Sequence, residues 1–501
     1  MAFDFDVLII GSGFGGSVAA KRFTQAGYRT AILEMGERFH SGGAAIAGKL
    51  KQSQDTRYIY RLFRDYPDDY ITNDTKLVIA QGMGYGGGSL VYSGIHLRAP
   101  DTAFTGWPSG YTRANLDPYY ARAEANIGVR TDPETFRFRR PSLFRRGAAL
   151  AGVGSAQTLP LSMVGCTHCG WCVPSCIYDK KQSMPLTYLK AAEATGRLTV
   201  YTGYKGTDIE PLAGGGYRVW MLKTSLRPDR YQLQDKGAYW DKTWYTLSAP
   251  RIVVAAGAVE SPCLLSRSST VWGMSLSDAN LGRGIDGQGD AITGGFVPAS
   301  TPSDTYKGAI MMSYVDKGDY VLQDIHGIPA GPTVKYPVTF DSLGQLTYGL
   351  NYKKKMKSYG AQMLGIAVIG KSPSGGNITV SDSDVSYVAK ASTTAYQPPA
   401  GALAAAGAII TALGGEIAKT PWELKGQIAT VHPTGGCRMG ASSTDGSVVS
   451  KRDLQVWGNP GLHVIDGSVI PLNTLRNPSN TILAIAEKAM DVILGAGDPG
   501  W

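Results

Sequence analysis

The chain has 501 residues, of which 43% are hydrophobic and 18% are charged, and it carries a formal net charge of +9. This length corresponds to roughly three domain-sized units, and the composition excludes a disordered, coiled-coil or collagen-like protein. The positive charge is accompanied by no recognition helix and no RNA-binding aromatic motif, which argues against a nucleic-acid partner.

Glycine is the residue type in clearest excess. The 64 glycines amount to about 13% of the chain, against ~7% in average proteins. No Gly-X-Y repeat accompanies them. We therefore expect them in turns and where the backbone approaches a ligand closely.

The N-terminal sequence, MAFDFDVLIIGSG, lacks the basic segment, apolar core and cleavage site of a secretory signal. The apolar runs at 7–10 and 402–413 are too short to cross a bilayer, and the second run predicts a buried helix. We expect a cytoplasmic protein without a transmembrane segment.

The N-terminal residues predict a strand–helix–strand unit. Val7–Ile10 is a continuous apolar run, typical of a parallel strand buried on both faces. Ser17–Ala26 has helical periodicity and ends at Gly27, and Arg29–Leu33 is a second apolar strand that ends at Glu34. The pattern predicts the start of an open parallel sheet in an α/β fold.

A G-x-G-x-x-G pattern joins the first strand to the helix. Gly11 permits the tight turn, Gly13 lets the backbone approach a pyrophosphate, and Gly16 lets the helix pack closely on the strand. The helix N-terminus favours a phosphate. Glu34 can accept hydrogen bonds from two ribose hydroxyls, which disfavours NADP. The unit predicts a dinucleotide site and leaves FAD and NAD open.

The middle of the chain is less regular. A helix is predicted at Asp117–Ile127, with Asp117 as its N-cap and Pro118 as its first residue. Further strands are predicted at Arg197–Tyr201, Tyr217–Leu222 and Arg251–Ala255.

Residues 291–395 are rich in Tyr, Thr, Ser and Gly, and apolar residues alternate at Leu346, Tyr348 and Leu350. This alternation predicts an antiparallel sheet in a second domain. We expect a nucleotide-binding domain that a substrate-binding domain interrupts. The predicted limits are 1–115, 195–290 and 425–501 for the nucleotide-binding domain, 116–194 for a Cys-rich connecting segment, and 291–424 for the substrate-binding domain.

Five further segments follow one another in a characteristic order. They are Gln81–Leu90, Ile252–Pro262, His432–Gly440, Leu462–Ser468 and Asn477–Ile482. Their order and spacing resemble the glucose–methanol–choline (GMC) oxidoreductases over nearly the whole chain. The His-Pro-x-Gly-Gly segment with a later Asn-Pro is similar to the cholesterol-oxidase-like bacterial branch. Residues 291–425 carry no matching motif.

The resemblance implies a Rossmann-like FAD-binding domain with an interleaved α+β substrate domain built on an antiparallel sheet, an architecture like that of p-hydroxybenzoate hydroxylase. It implies non-covalent FAD and hydride transfer from a primary or secondary alcohol, which becomes a carbonyl. The residues that it places around FAD are Gly11, Gly13, Phe14, Gly16, Glu34, Met35, Gly82, Gly84, Gly87, Gly88, Ser89, Gly206, Ala256, Asp466, Gly467, Asn477, Pro478 and Ser479.

The same resemblance places His432 and Asn477 at the reactive edge of the flavin. Hydride transfer from an alcohol requires loss of the hydroxyl proton, which a positioned imidazole can accept near neutral pH. An asparagine amide can orient the alcohol oxygen. Two alternatives stay open: His432 as a structural histidine of a glycine-rich turn, and Asn480 in place of Asn477.

Cholesterol oxidases also use a glutamate of the substrate domain. Residues 291–395 contain no glutamate. Either the substrate is not a steroid, or the whole base role falls on His432.

Four cysteines, Cys166, Cys169, Cys172 and Cys176, form a C-x2-C-x2-C-x3-C run. This spacing equals the iron–sulfur run of bacterial ferredoxins, although Ile177 stands where proline is usual. Some membrane-associated sugar dehydrogenases that resemble this chain hold a three-iron cluster in a comparable place. We expect a 3Fe-4S or 4Fe-4S cluster; free thiols or disulfides, or structural zinc with His168 as a spare ligand, are the alternatives.

The cluster decides the expected partners. With it, the enzyme would pass electrons from FAD to a redox protein; without it, O2 or a quinone would be the acceptor. Two other functions stay open, a GMC-type lyase or isomerase with structural FAD, and an FAD subunit of an electron-transfer dehydrogenase complex.

Overall fold

The structure is a computed structural model. It describes residues 2–38, 63–65, 77–170, 172, 176, 178–224, 240–276, 280–326, 349–372, 376–383, 386–392, 397–418, 428–497 and 500. The α-helices are α1 (Phe14–Gln25), α2 (Arg113–Ile127), α3 (Arg139–Leu150), α4 (Tyr188–Glu193), α5 (Gly257–Trp272), α6 (Gly349–Gln362), α7 (Ala402–Ala412) and α8 (Ser479–Ile493). Short 3-10 helices lie at Gly87–Leu90, Asp101–Phe104, Thr135–Arg137, Met184–Leu186 and Gly467–Val469.

The strands are distributed over the whole chain. They are β1 (Val7–Ile10), β2 (Thr30–Glu34), β3 (Phe63–Asp65), β4 (Leu77–Gly82), β5 (Arg130–Thr131), β6 (Gln157–Thr158), β7 (Pro160–Leu161), β8 (Leu198–Thr202), β9 (Tyr204–Pro211), β10 (Tyr217–Thr224), β11 (Trp240–Ala249), β12 (Ile252–Val254), β13 (Arg283–Ile285), β14 (Ala291–Phe296), β15 (Ser313–Asp316), β16 (Tyr320–Ile325), β17 (Met363–Gly370), β18 (Gly376–Ser383), β19 (Ser386–Ser392), β20 (Glu416–Ala418), β21 (Ile428–Thr430), β22 (Met439–Gly440), β23 (Val449–Ser450) and β24 (Leu462–Val464).

A parallel sheet of order β24-β12-β1-β2-β8 forms the nucleotide-binding half. Its central strand is buried on both faces, with each residue of β1 at most 4% exposed, as its continuous apolar run predicts. The chain leaves β1 toward β2 on one side and returns to β12 and β24 on the other. This reversal places a crevice at the carboxyl ends of the central strands, where α/β sheets bind ligands.

An antiparallel sheet of order β20-β14-β17-β16-β15-β6 is the second large sheet of the molecule. One face packs against α3 and α7 through an apolar cluster that includes Leu322, Ile366 and Ile409. The predicted fold class, a Rossmann-like sheet combined with an antiparallel substrate sheet, is confirmed. The domain limits stay a prediction, and the edge strand β6 lies within 116–194, the predicted Cys-rich connecting segment.

The opposite face of this sheet carries what we call the sheet-face cluster. It comprises Ile95, Leu97, Leu159, Leu161, Met163, Cys172, Ala309, Ile310, Met311, Met312, Val321, Ala367 and Ile369. Because the cluster includes residues from 95–97, 159–163 and 172, it joins the sheet to the segment after β4 and to the cysteine run.

Two local predictions were wrong. Helix α2 begins at Arg113 because Thr112 is its N-cap, with the Thr112 hydroxyl accepting a hydrogen bond from the Asn115 backbone N–H at 3.1 Å. Asp117 instead binds Arg98 and Arg113. The alternation that ends at Leu350 is not a strand there, since Leu350 lies in α6; Leu346 and Tyr348 lie outside the described residues. Among the described helices, none is long and apolar enough to cross a membrane.

Candidate active site

The carboxyl ends of the parallel strands gather several of the predicted cofactor residues at one edge, which we call the nucleotide edge. Gly11 follows β1, Glu34 ends β2, Ala256 follows β12 and Asp466 follows β24. Because parallel strands all end at the same side of a sheet, residues far apart in the chain meet here.

The glycine loop has little room for larger residues, except at one position. A Cβ at Gly11, whose φ is +99°, would lie 2.2 Å from the Ala255 carbonyl oxygen, and a Cβ at Gly16 would lie 2.1 Å from the Gly11 carbonyl oxygen. At Gly13 a Cβ would meet no described atom within 4 Å. Helix α1 begins at Phe14, and no described side chain caps its first turn. This space at a helix N-terminus fits the pyrophosphate of FAD.

The carboxylate of Glu34 is buried and joins three segments. It accepts hydrogen bonds from the Ser12 backbone N–H (3.1 Å) and hydroxyl (2.5 Å), and from the backbone N–H groups of Gly36 (2.9 Å) and Gly84 (3.3 Å). Burial raises the pKa of Glu34. A carboxylate has about four acceptor positions, and the protein itself occupies them here. A ribose contact at Glu34 stays a prediction. The glycine motif did not predict that Ser12 donates two hydrogen bonds to Glu34.

The segment Gln81–Leu90, which we call the second glycine segment, packs directly on the G-x-G-x-x-G loop. A Cβ at Gly87 would lie 2.7 Å from the Gly13 Cα, and the Gly86 backbone N–H donates to the Ser12 hydroxyl at 2.9 Å. The Ser89 hydroxyl accepts from the Met184 backbone N–H at 3.0 Å. The other predicted residues of this segment, Gly82, Gly84 and Gly88, lie in the same stretch from β4 into the 3-10 helix.

Asp466 ties two strand ends together. Its carboxylate accepts from the Gly257 backbone N–H (2.8 Å), the Ser261 hydroxyl (2.5 Å) and the backbone N–H and hydroxyl of Ser468 (2.8 and 2.5 Å). Burial raises the pKa of Asp466. Gly467 accepts from the Gly435 backbone N–H through its carbonyl at 3.0 Å. The nucleotide edge is therefore joined to the His432–Gly440 segment.

The remaining predicted cofactor residues are more scattered. Met35 directly follows β2, and Gly206 lies on β9, where a Cβ would lie 3.1 Å from the Ile10 Cγ2. Pro478 and Ser479 form the start of α8, and the Ser479 hydroxyl donates to the Ile95 carbonyl at 3.2 Å. These contacts place the start of α8 beside the segment that follows the second glycine loop.

The two predicted catalytic residues meet. His432 lies two residues after β21 and Asn477 two residues before α8, and the His432 Nε2 is 3.3 Å from the Asn477 Nδ2. The His432 side chain is 20% exposed, and Asn477 is 5% exposed. The alternative residue, Asn480, points elsewhere, since its amide donates to the His96 carbonyl (3.1 Å) and to Glu124 (2.9 Å).

Two residues that sequence reasoning missed complete this site. The His432 Nδ1 lies 2.9 Å from each oxygen of Asp290, which directly precedes β14. The Gln323 Nε2, on β16, donates to the Asn477 Oδ1 at 2.8 Å. Neither Asp290 nor Gln323 belongs to a recognisable motif, so no sequence signal could have found them. We call Asp290, His432, Asn477 and Gln323 the catalytic chain.

The matches with known families are extensive. The GMC oxidoreductase N-terminal model matches residues 5–275, and the C-terminal model matches residues 410–486. The chain belongs to the GMC oxidoreductase family. The resemblance that the motifs predicted is therefore confirmed, and this GMC oxidoreductase is a member of a family whose enzymes bind FAD.

Individual relatives are distant. A cholesterol oxidase of Acinetobacter baumannii is 27% identical over 98% of this chain and 94% of that protein. A cholesterol oxidase of Mycobacterium tuberculosis is 30% identical over 51% of this chain and 46% of that protein. A long-chain-alcohol oxidase of Arabidopsis thaliana is 22% identical over 97% of this chain and 68% of that protein.

Among solved structures, pyridoxine 4-oxidase from Mesorbium loti is similar, with a TM-score of 0.65, 17% identity, and coverage of 97% of this chain and 98% of that one. At this identity the likeness supports the fold alone.

The cysteine run of this GMC oxidoreductase lies beside the second glycine segment. The Lys181 ammonium donates to the Leu90, Tyr92 and Cys172 carbonyls at 2.8–2.9 Å, and Cys169 forms an isolated β-bridge with Gly308. Burial raises the pKa of the Cys166 thiol, and that of the Cys172 thiol to about 12. Within the described residues the four cysteines are free thiols, and they form no group of three or more metal-ligating side chains. An iron–sulfur cluster stays a prediction.

Proposed function

We propose that this chain oxidises a primary or secondary alcohol to a carbonyl, with FAD as the hydride acceptor and His432 as the base. The observation that carries the proposal is the contact of 3.3 Å between the His432 Nε2 and the Asn477 Nδ2. These two atoms come from segments joined to the nucleotide edge and to the antiparallel sheet, respectively. An alcohol oxygen that lies beside both atoms would meet one acceptor, the His432 Nε2, and one donor, the Asn477 Nδ2.

His432 and Asn477 have different roles in the proposed reaction. Bound FAD would supply the acceptor for the hydride that leaves the carbinol carbon. The His432 Nε2 takes the hydroxyl proton, and the Asn477 amide N–H donates to the same oxygen and holds it in place. The imidazole then holds this proton beside the Asp290 carboxylate, whose oxygens lie 2.9 Å from the His432 Nδ1. The alcohol thereby loses one hydride and one proton and becomes a carbonyl.

The chain's own residues fit FAD at the nucleotide edge. Gly13 leaves open space before the uncapped start of α1, and the second glycine segment lies against it through Gly87. We propose that these segments hold the pyrophosphate and run beside the flavin, with Asp466 and Gly467 near the ribityl part. The family match supports this placement.

The surroundings of the pair favour an alcohol with an apolar body. Gln323 shares its face of β16 with Val321 and Ile325, and it pairs across the sheet with Ala367. The sheet-face cluster thus lies against the donor side of the catalytic chain. Relatives named for cholesterol and long-chain alcohols are in line with an apolar substrate.

The electron acceptor follows from the cysteine run. We propose O2 or a quinone as the acceptor of a metal-free protein, and a redox protein as the acceptor if the predicted iron–sulfur cluster is present. Iron, zinc and acid-labile sulfide measured on anaerobically purified protein separate these cases. Iron below stoichiometry would remove the cluster.

The proposal is tested by mixing the purified holoenzyme anaerobically with a panel of alcohols and following the visible flavin absorption. Bleaching by an alcohol, with the matching aldehyde or ketone as product, is the expected result. A flavin that no alcohol reduces, in a protein that cleaves or isomerises an alcohol, would support a lyase or isomerase instead. Reduction only in the presence of co-purifying subunits would support an electron-transfer subunit.

A further inference from the structure

We propose that Asp290 and Gln323 are positioning residues that fix the hydrogen-bonding polarity of the His432–Asn477 pair from opposite ends. The inference rests on the proposed function of that pair. It concerns which atoms of the pair carry protons before the alcohol arrives, and therefore whether His432 can act as a base at all.

The polarity begins at Asp290. The ionised carboxylate only accepts hydrogen bonds, and one of its oxygens, Oδ2, already receives the Thr430 hydroxyl and the Val431 backbone N–H, each at 3.0 Å. Since both oxygens lie 2.9 Å from the His432 Nδ1, that nitrogen must carry the proton. A neutral imidazole protonated at Nδ1 has its lone pair at Nε2. Asp290 therefore makes the His432 Nε2, the nitrogen that faces Asn477, a hydrogen-bond acceptor.

The polarity then passes through Asn477. A lone pair at Nε2 needs a donor opposite it, so the Asn477 amide must present its Nδ2, at 3.3 Å. Its Oδ1 consequently faces Gln323, which must present its Nε2, at 2.8 Å. Asn and Gln amide orientations are assigned from such networks rather than observed. Here the carboxylate of Asp290 decides the amide orientations of both Asn477 and Gln323.

The far end of the catalytic chain shows the cost of this arrangement. Gln323 is fully buried, and its Oε1 has no hydrogen-bond partner among the described residues. A buried acceptor without a partner is unfavourable. A glutamine with only a structural role would gain little from this position among apolar neighbours. The position is explained if Gln323 holds the Asn477 amide in one orientation.

The arrangement also serves the proton transfer. The O–H bond of the alcohol breaks as the Nε2–H bond forms, and the positive charge that appears on the ring lies against the Asp290 carboxylate. The Asn477 N–H remains on the oxygen that becomes the carbonyl. The same division of roles, a carboxylate that fixes the tautomer of a base, operates in Ser-His-Asp sites.

The decisive variant is Asp290→Asn. Its amide oxygen can take the place of the oxygen bound by Thr430 and Val431, which leaves the amide NH2 facing the His432 Nδ1 as a donor. The ring must then carry its proton on Nε2, so this nitrogen cannot accept the proton of the alcohol. We expect about 10³- to 10⁴-fold slower flavin reduction by the alcohol, with FAD content and thermal unfolding close to those of the unchanged enzyme.

Two further variants sharpen the test. Asp290→Glu keeps an accepting group and should recover part of the rate that Asp290→Asn loses. Gln323→Met keeps the side-chain size without the donor, frees the Asn477 amide to turn, and should slow reduction about tenfold. Equal rates in Asp290→Asn and the unchanged enzyme would overturn the proposal for Asp290, and an unchanged rate in Gln323→Met would overturn it for Gln323.

A spectroscopic readout separates positioning from structure. Nitrogen-labelled histidine in the holoenzyme, with the His432 signal assigned by its loss in His432→Gln, shows by NMR which ring nitrogen is protonated. We expect Nδ1–H in the unchanged enzyme and Nε2–H in Asp290→Asn; Nε2–H in the unchanged enzyme would refute the inference. If no alcohol reduces the flavin while the tautomers behave as expected, the proposed function fails and the positioning role stands.

Discussion

Buried carboxylates at two places in this molecule have different kinds of partner. At the nucleotide edge, Glu34 and Asp466 receive their hydrogen bonds from backbone N–H groups and serine hydroxyls. At the catalytic chain, Asp290 receives one backbone N–H, one hydroxyl and an imidazole. The partners in the first arrangement cannot change protonation at ordinary pH, so this arrangement fixes loops in place and takes no part in proton transfer. The second couples a carboxylate to a ring that can gain or lose a proton.

This contrast predicts two kinds of damage. Changes at the nucleotide edge should affect folding or FAD binding, with normal chemistry in whatever protein still carries FAD. Changes at the catalytic chain should spare FAD binding and slow the reduction of the flavin. Each variant below therefore needs FAD content, thermal unfolding and the rate of reduction measured together.

The largest effect is expected for His432→Gln. The amide can still donate or accept one hydrogen bond, but it cannot take up the alcohol proton at neutral pH, so flavin reduction should slow by about 10³-fold or more. Stopped-flow reduction under anaerobic conditions measures this rate. An unimpaired rate in a variant with full FAD content would remove His432 from the mechanism.

A matched pair of glycine variants tests the nucleotide edge. In Gly11→Ala the new Cβ would lie 2.2 Å from the Ala255 carbonyl oxygen at a φ of +99°, so we expect a loss of stability of about 3 kcal/mol or more. In Gly13→Ala the Cβ meets no described atom within 4 Å and φ is −66°, so the apoprotein should lose less than about 1 kcal/mol. That variant should instead bind FAD more weakly. Equal FAD affinity in Gly13→Ala would show that this space is not the cofactor's.

A second matched pair separates the two asparagines. Asn477→Ala removes the donor beside His432 and should slow flavin reduction about 100-fold. Asn480→Ala removes the contacts to the His96 carbonyl and Glu124 and should cost about 1–2 kcal/mol of stability. The rate per bound flavin should not change in Asn480→Ala. The opposite pattern would assign the catalytic role to Asn480.

The smallest effect concerns pH. Asp286 lies next to the catalytic chain, and burial raises its pKa; its Oδ2 has no hydrogen-bond partner among the described residues. A raised pKa of an acid means that its contribution to stability is complete below the ordinary carboxyl range, at about pH 4, and is lost as the pH rises through the folded-state pKa. The asparagine of Asp286→Asn does not titrate, so this variant does not lose stability in that way as the pH rises. We expect the Tm of Asp286→Asn to rise relative to that of the unchanged protein as the pH is raised, and a pH-independent difference would contradict this account.

Much of the parallel half could be predicted because its signals are local. A continuous apolar run is enough to indicate a strand buried on both faces, and Val7–Ile10 is such a strand. Helix α1 starts at Phe14, three residues before the predicted start, because the helix begins directly after Gly13 in the glycine loop. The boundary of α2 was missed because Thr112 competes with Asp117 for the capping position, and the ion pairs of Asp117 with Arg98 and Arg113 draw it away.

The sequence by itself determined the parallel strand–helix–strand unit, because periodicity and backbone conformation fix the meaning of its short patterns. It determined the family through the order of its motifs, and the resemblance to that family predicted the pair His432 and Asn477. Only the tertiary structure decided what surrounds the pair. Asp290 is 142 positions from His432, and Gln323 is 154 positions from Asn477. A contact over such a separation exists only after both sheets have folded and packed, so no local pattern encodes it.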